Sequence, residues 1–426
     1  MKRRVVAIVL SLVMALGLSF SMTSCGGNGG SDDANTLTIW IHNNEDSWVQ
    51  SYQDIADAYM AEHEGVNIKF ESFPYDEFET KVQTALMSKD GGADIYELWG
   101  GWGVDFAPSG ALAALPDEWA EEVKSDAYPS TYGALESDGK LYGMPMEFNI
   151  ECGGLVINNN VLTANGLSVP KTWDEVVAAG VKANSEDVKG FDFVNWDGVM
   201  YLWTSMILSQ GGNYLNEDGT FNLTSPEAVK AWNELADLLT KTPVTNLAGL
   251  DDGSDIEGYQ ECFAGQAMMV PRGPWCLAEG VNDYGHELGK SLLYVPMPFY
   301  GDKPGFAAET GWSMGVASGI SEEKQALAFD FLQFFFSDDV IMQHNLACGQ
   351  IPAKKSVAQD PAFVEAFAPA EPLVGILDDS QFIGFFNTDR FKENVNNTFS
   401  AFCKGEAGST EEALADLEAQ CNDMLK

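Results

Sequence analysis

A catalytic chain has to show acids, bases, nucleophiles or metal ligands at workable spacing, and in these 426 residues such groups are scattered. The four histidines, His42, His63, His286 and His344, lie far apart and make no H-E-x-x-H or related metal-ligand pair. No phosphate-cradling P-loop and no dinucleotide-binding G-x-G-x-x-G occurs. Asp251 to Glu257 alternates carboxylates like a calcium loop, but Ile256 stands where the tight turn needs glycine, which reads as a solvated acidic loop. With 64 Asp and Glu side chains some pair can always be named as acid and base, so counting carboxylates argues nothing for glycoside hydrolysis. The expectation is a chain without catalytic apparatus, cofactor or metal site. The residues left over for chemistry are aromatic. A sugar ring has apolar C–H faces and equatorial hydroxyls, so a site for it wants flat aromatic walls and planar acids or amides for paired hydrogen bonds.

The elements that would position those aromatics are legible in the period of the apolar residues. Asn35 to His42 alternates as a strand, Asp46 to Glu62 carries a helical stripe, Val66 to Phe73 is a strand, Tyr75 to Lys89 a helix and Ala93 to Trp99 a strand. Strands alternating with helices predict an α/β fold around a parallel sheet, with ligands bound beyond the carboxyl ends of the strands. That rim collects Trp40 to Asn44, Phe73 to Asp76 and Trp99 to Asp105. Further on, Thr172 and Glu175 predict a capping box, Asn195 to Ser209 an aromatic-rich helix, and Ser225-Pro226 the cap and first turn of another.

Between these halves runs Asp138 to Leu162, DGKLYGMPMEFNIECGGLVINNNVL, in which Pro145 and Gly153-Gly154 interrupt a strand pattern and predict a connection. This stretch resembles the first interlobe crossing of the solute-binding proteins of ABC sugar importers, the maltodextrin-binding class. Similar matches follow in order: PKTWDE, the Gly-Gly after the Trp-rich helix, the F-x-x-G-x-A-M-x-x-x-G-x-W pattern ending at Trp275, and GQIP at Gly349 to Pro352. The Glu151-Cys-Gly-Gly insert is longer than the usual crossing. The resemblance implies a two-lobed periplasmic-binding-protein-like α/β fold of the second type, with crossings near 147 to 153, 309 to 313 and 347 to 352. It implies one lobe from 36–148 plus 312–348 and another from 149–311 plus 349–426.

On that resemblance the aromatic site residues are Trp40, Trp99, Trp102, Trp196, Trp203, Trp275, Trp312, Phe385 and Phe386, with Trp275 matching the family's sugar-stacking tryptophan. The polar partners are Asn43, Asn44, Asp105, Glu147, Asn149 and Arg272. Trp48, Trp119, Trp173 and Trp232 fit helix faces or starts and are assigned to packing. The implied function is capture of a carbohydrate, an oligosaccharide for preference, by lobe closure and its delivery to an ABC permease with its ATPase. The alternatives are a non-sugar or sensing ligand on the same fold, or a surface glycoside hydrolase.

The N-terminus and the charge fit that setting. Met1 to Arg4 is basic, Val5 to Leu18 is apolar but too short to span a bilayer, and Ser21 to Cys25 ends in small residues before a cysteine. This resembles a bacterial lipoprotein signal, 1–24, with Cys25 acylated, 25–35 a flexible tether and the protein held at the extracellular face of the membrane as a monomer. Net charge is −41, and loss of Lys2, Arg3 and Arg4 takes it to −44, a field that repels nucleic acid. Six cysteines remain after Cys25 and allow 15 pairings. Because Cys152 and Cys348 both fall near implied crossings, that pair is the expected disulfide.

Overall fold

The computed structural model describes residues 34–43, 46–88, 92–194, 198–246, 250, 258–303, 305–368 and 371–426. The signal, Cys25 and most of the tether lie outside them, as do Asn44, Trp196 and the 251–257 loop. Among the described residues no helix is long and apolar enough to cross a membrane.

The alternating apolar residues of Thr36–Asn43 (β1) put Leu37, Ile39 and Ile41 into the core, and β1 lies between two parallel neighbours, Asn67–Pro74 (β2) and Ile95–Leu98 (β3). The helix joining β1 to β2 spans Asp46–Glu62, as its apolar stripe predicts. Two antiparallel strands complete this sheet, Ser313–Val316 (β10) and Met144–Pro145 (β4), in the order β2-β1-β3-β10-β4. Pro145 therefore sits on the edge strand, where its missing N–H breaks no ladder.

A second sheet is made by Gly154–Asn158 (β6) between Met269–Pro271 (β7) and Leu292–Pro296 (β8). The helix that follows Lys171 starts at Trp173, with Thr172 as its cap: the Thr172 hydroxyl accepts from the Glu175 N–H at 3.2 Å. The reciprocal bond of the expected capping box falls one residue earlier, from Lys171 N–H to Glu175 Oε2 at 2.7 Å. Ser225 and Pro226 open the Pro226–Thr240 helix as predicted.

The three implied crossings meet in a third sheet. Glu147–Asn149 (β5) lies between Ile351–Pro352 (β11) and Phe306–Thr310 (β9), and Ser380–Phe382 (β12) closes the far edge. What reads in the sequence as an irregular connection is thus a short strand held on both sides, with Phe148 opposite both Thr310 and Ile351.

The buried apolar residues divide accordingly. One cluster gathers around the first sheet and includes Phe78, Trp102, Trp312 and Phe331. Another, with Trp173, Trp203, Trp232, Phe391 and Leu417, forms the core of the other half. A third, with Tyr128, Phe148, Ile150, Phe306 and Ile351, packs around the crossing sheet. The four tryptophans assigned to packing, Trp48, Trp119, Trp173 and Trp232, are all buried. The expected Cys152–Cys348 disulfide is overturned: both cysteines are free, Cys152 buried in one core and Cys348 in the other. Cys152 Sγ faces Gly198 O at 3.7 Å, and Cys348 Sγ lies 3.7 Å from His344 Nε2.

Candidate ligand-binding cleft

The aromatic part of the site assembles where the first sheet ends. Trp312 leaves β9 through Gly311, where a Cβ would sit 2.7 Å from the Glu147 side chain, and its ring becomes the hub of a cluster. His42 stacks on it at 3.9 Å with planes 5° apart, and Trp99 and Trp102 meet it edge-on at 5.4 and 5.8 Å. Trp99 and Trp102 are brought in by the Gly100–Ser109 helix, whose first residues have no side chains to hold them off. A Cβ at Gly100 would lie 1.6 Å from the Thr310 carbonyl oxygen. Beneath the cluster Glu97 is fully buried: its Oε2 accepts the His42 backbone N–H at 2.7 Å and lies 2.6 Å from His42 Nδ1, while Oε1 accepts from Tyr52 at 2.5 Å.

The polar part lies on the crossing sheet. Glu147 and Asn149 stand two apart on β5 and so share one face, and Glu309 is directly opposite Asn149 on β9. Glu147 Oε1 accepts the Trp312 backbone N–H at 3.2 Å. Burial pushes the Glu147 carboxyl up to about 8; the Trp312 N–H opposes the rise, and the nearby carboxylates Glu97 and Glu151 add to it. Glu309 accepts from the Tyr201 and Thr388 hydroxyls. It too is pushed up to about 8, by burial first and then by Asp389, against the two hydroxyls and Lys392.

Two donors at this place have no acceptor among the described residues. The indole N–H of Trp102 and the amide nitrogen of Asn149 are both buried and unpaired. An unmade hydrogen bond of this kind costs about 1–3 kcal/mol. Two such donors, carboxyl acceptors and flanking rings make a surface suited to a molecule that carries both hydroxyl donors and oxygen acceptors on an apolar frame.

A second group comes from the crossing insert and the segment after β7. Glu151 Oε1 accepts from Trp275 Nε1 at 3.0 Å and its Oε2 from the Gly273 N–H at 3.3 Å. The Arg272 guanidinium lies 5.4 Å from the centre of the Trp275 ring and 5.7 Å from that of Tyr259, within cation–π range of both. Trp275 remains half-buried, with Tyr259 edge-on at 5.1 Å.

Of the residues expected from the sequence, the structure thus gathers Trp99, Trp102 and Trp312 in one cluster, Glu147 and Asn149 beside it, and Arg272 and Trp275 in a second group. Others stand elsewhere. Trp40 is held against the neighbouring strands β2 and β3: its Nε1 donates to Glu71 at 2.9 Å and its ring meets Phe73 and Tyr96 edge-on. Trp203 is 0% exposed, donates to Ala228 O at 3.0 Å and packs on Trp232 in the second core. Phe386 is buried against Phe221 and Phe391, whereas its neighbour Phe385 is 64% exposed. Asp105 is exposed and accepts from Asn387 at 3.2 Å. Asn43 ends β1, and its side chain, like Asn44 and Trp196, lies outside the description.

Sequence reasoning missed His42, Glu97, Glu151, Tyr201, Glu309 and Thr388. The signal for Glu309 was at hand, since it precedes the Gly311-Trp312 pair that marks the second crossing. The string Gly311-Trp-Ser-Met-Gly315 also spells the G-x-S-x-G of a hydrolase nucleophile elbow. Ser313 is instead buried at the start of β10, where its hydroxyl donates to Leu98 O at 3.1 Å, and not on a strand-to-helix turn. Among the described residues no cluster of His, Cys, Asp and Glu could hold a metal ion.

Comparison with known proteins places this geometry. The model for bacterial extracellular solute-binding proteins matches residues 43–342. A probable amino-acid ABC transporter periplasmic-binding protein of Sinorhizobium fredii is 28% identical over 74% of this chain and 72% of its own length. The maltotriose-binding protein of Pyrococcus abyssi is 25% identical over 76% of this chain and 68% of its own length. Among solved structures, the cyclic alpha-maltosyl-1,6-maltose binding protein of Arthrobacter globiformis is similar with a TM-score of 0.75 at 22% identity, covering 92% of this chain and 99% of that one. The fold is therefore the two-lobed one of periplasmic binding proteins, and the chain belongs to the bacterial extracellular solute-binding protein family.

Proposed function

We propose that this solute-binding protein captures a neutral carbohydrate between its lobes and presents it to the permease of an ABC importer, itself held at the outer face of the cytoplasmic membrane by a lipid on Cys25. The observation that carries the ligand class is the pair of buried, unpaired donors, Trp102 Nε1 and Asn149 Nδ2, set beside the Trp312 ring cluster and the carboxyl of Glu147. Sugar hydroxyls can accept from the two donors and donate to the Glu147 carboxyl, and C–H faces can lie on the rings. Contacts from both lobes favour the closed state by their differential affinity, which is the form a permease can recognise. The lobes run from 36–148 with 312–348 and from 149–311 with 349–426. A molecule acting in this way turns nothing over.

Arg272 and the relative named for amino acids support a second reading, a zwitterionic ligand whose carboxylate meets the guanidinium. The two separate in one experiment. The mature chain, made soluble by Cys25→Ser, is titrated with a panel of glycans, polyols and amino acids while tryptophan fluorescence is followed and products are assayed. Saturable change with a glycan and no product supports the proposal. Response to amino acids alone supports the second reading, and glycan turnover defeats both.

A further inference from the structure

Glu309 belongs to neither group of expected ligand contacts, yet it stands where elements of the two cores meet. The Gly100–Ser109 helix packs into the first core through Trp102 and Phe106. The Gly198–Ser209 helix and the Thr388–Cys403 helix pack into the second through Tyr201, Trp203 and Phe391. All three converge on the Glu309 carboxyl. Tyr201 donates to Oε2 and Thr388 to Oε1. From the other lobe Gly101 approaches so closely that a Cβ there would lie 2.4 Å from Thr388 Oγ1 and 2.9 Å from Glu309 Oε1. Beside it Asn387, the cap of the Thr388–Cys403 helix, donates to Asp105, one turn beyond Gly101, across the same seam at 3.2 Å. The carboxyl is 2% exposed, with Asp389 and Lys392 acting on it from the Thr388–Cys403 helix.

We infer that Glu309 is a positioning residue for lobe closure: it bonds the Tyr201 and Thr388 helices of one lobe together where the first turn of the Gly100–Ser109 helix of the other abuts them, and so sets the closing equilibrium without touching the ligand. The inference rests on lobe closure as the binding step, but its readout needs no ligand. The groups that face Glu309 are Tyr201 from one helix, Asp389 and Lys392 from the next, and Asn149 across the strand, with Asp105 one turn away bonded to Asn387. Opening the seam returns the carboxyl to water, where its ordinary value is near 4.5, from about 8 in the closed seam. A carboxyl raised on closing takes up a proton on closing. Its contribution to the closed form is full below about 4.5 and is lost as pH rises through about 8.

The test is the distance between spin labels placed on the exposed Met87 and Val181, by Met87→Cys and Val181→Cys, in the full mature chain without ligand. The distribution is recorded at pH 5, 7 and 9 in the parent, in Glu309→Gln and in Thr388→Val. The parent distribution is expected to move to longer distance between pH 5 and pH 9. Thr388→Val, which keeps the carboxyl but removes one donor, is expected to lie at longer distance at every pH, and Glu309→Gln to lose most of the pH response. Distributions that coincide in parent and both variants at all three pH values overturn the inference, whatever the ligand proves to be. Should Glu309→Gln fail to fold, Thr388→Val alone, with an unchanged distribution, has the same force.

Discussion

The backbone N–H of Trp312 donates to Glu147 Oε1 at 3.2 Å, so the first crossing holds the second through a buried carboxyl. One bond thereby joins the centre of the aromatic cluster to the strand that carries Asn149. The rings and the polar groups of the site are consequently positioned by the same few residues, and a change at either should be felt by both.

Glu147 should make stability depend on pH in the alkaline direction. Its carboxyl is raised to about 8 by burial, so the native state binds a proton there that the unfolded chain releases near the ordinary 4.5. This contribution is complete below about 4.5 and disappears as pH rises through about 8. The melting temperature of the parent is expected to fall between pH 6 and pH 9, and that of Glu147→Gln to fall less. Scanning calorimetry at four pH values checks this, and parallel curves would refute it.

Trp102→Phe separates ligand contact from packing. The substitution removes an indole N–H that makes no bond, so the folded protein loses little, whereas a bound sugar loses a donor. The expected result is an unfolding free energy within about 1 kcal/mol of the parent together with affinity for the best glycan weakened by about 1 kcal/mol. Equal affinity would take Trp102 out of the site.

Trp275→Ala is expected to weaken binding by at least about 1 kcal/mol through lost stacking. Trp275→Phe keeps an aromatic face but leaves Glu151 without its indole donor, and should fall between the two. Calorimetric titration of the three proteins with one sugar gives the order directly; identical affinities would show that the Glu151 wall does not contact ligand.

Trp203→Ala should behave in the opposite way. The ring is buried on Trp232, and its removal is expected to cost about 3–5 kcal/mol in denaturant unfolding. Binding by the fraction that remains folded should be unchanged.

How far the sequence spoke for the structure can be judged from such residues. The periodicity of Leu37, Ile39 and Ile41 located β1, and the apolar stripe of Asp46–Glu62 located its helix, because both depend on local pattern. Thr172 and Ser225 marked helix starts for the same reason. Trp203 and Trp40 looked like Trp102 in sequence, since an indole on an element's apolar face reads the same whether that face meets a core or a ligand. Only the tertiary partners distinguish them: Trp232 and Ala228 O for Trp203, Glu71 for Trp40, and an unmade bond for Trp102. Glu97, Glu151 and Glu309 were lost among 64 acidic side chains, because what sets them apart is burial, which comes from packing between segments distant in the chain, from Tyr52 with Glu97 to Glu151 with Trp275.

The crystal structure of the mature chain with the glycan that binds most tightly tests the central claim most directly. The account predicts a sugar seated against the Trp312 cluster, with hydroxyl oxygens within hydrogen-bond distance of both Trp102 Nε1 and Asn149 Nδ2. A ligand bound elsewhere, with both donors still unpaired, would contradict it.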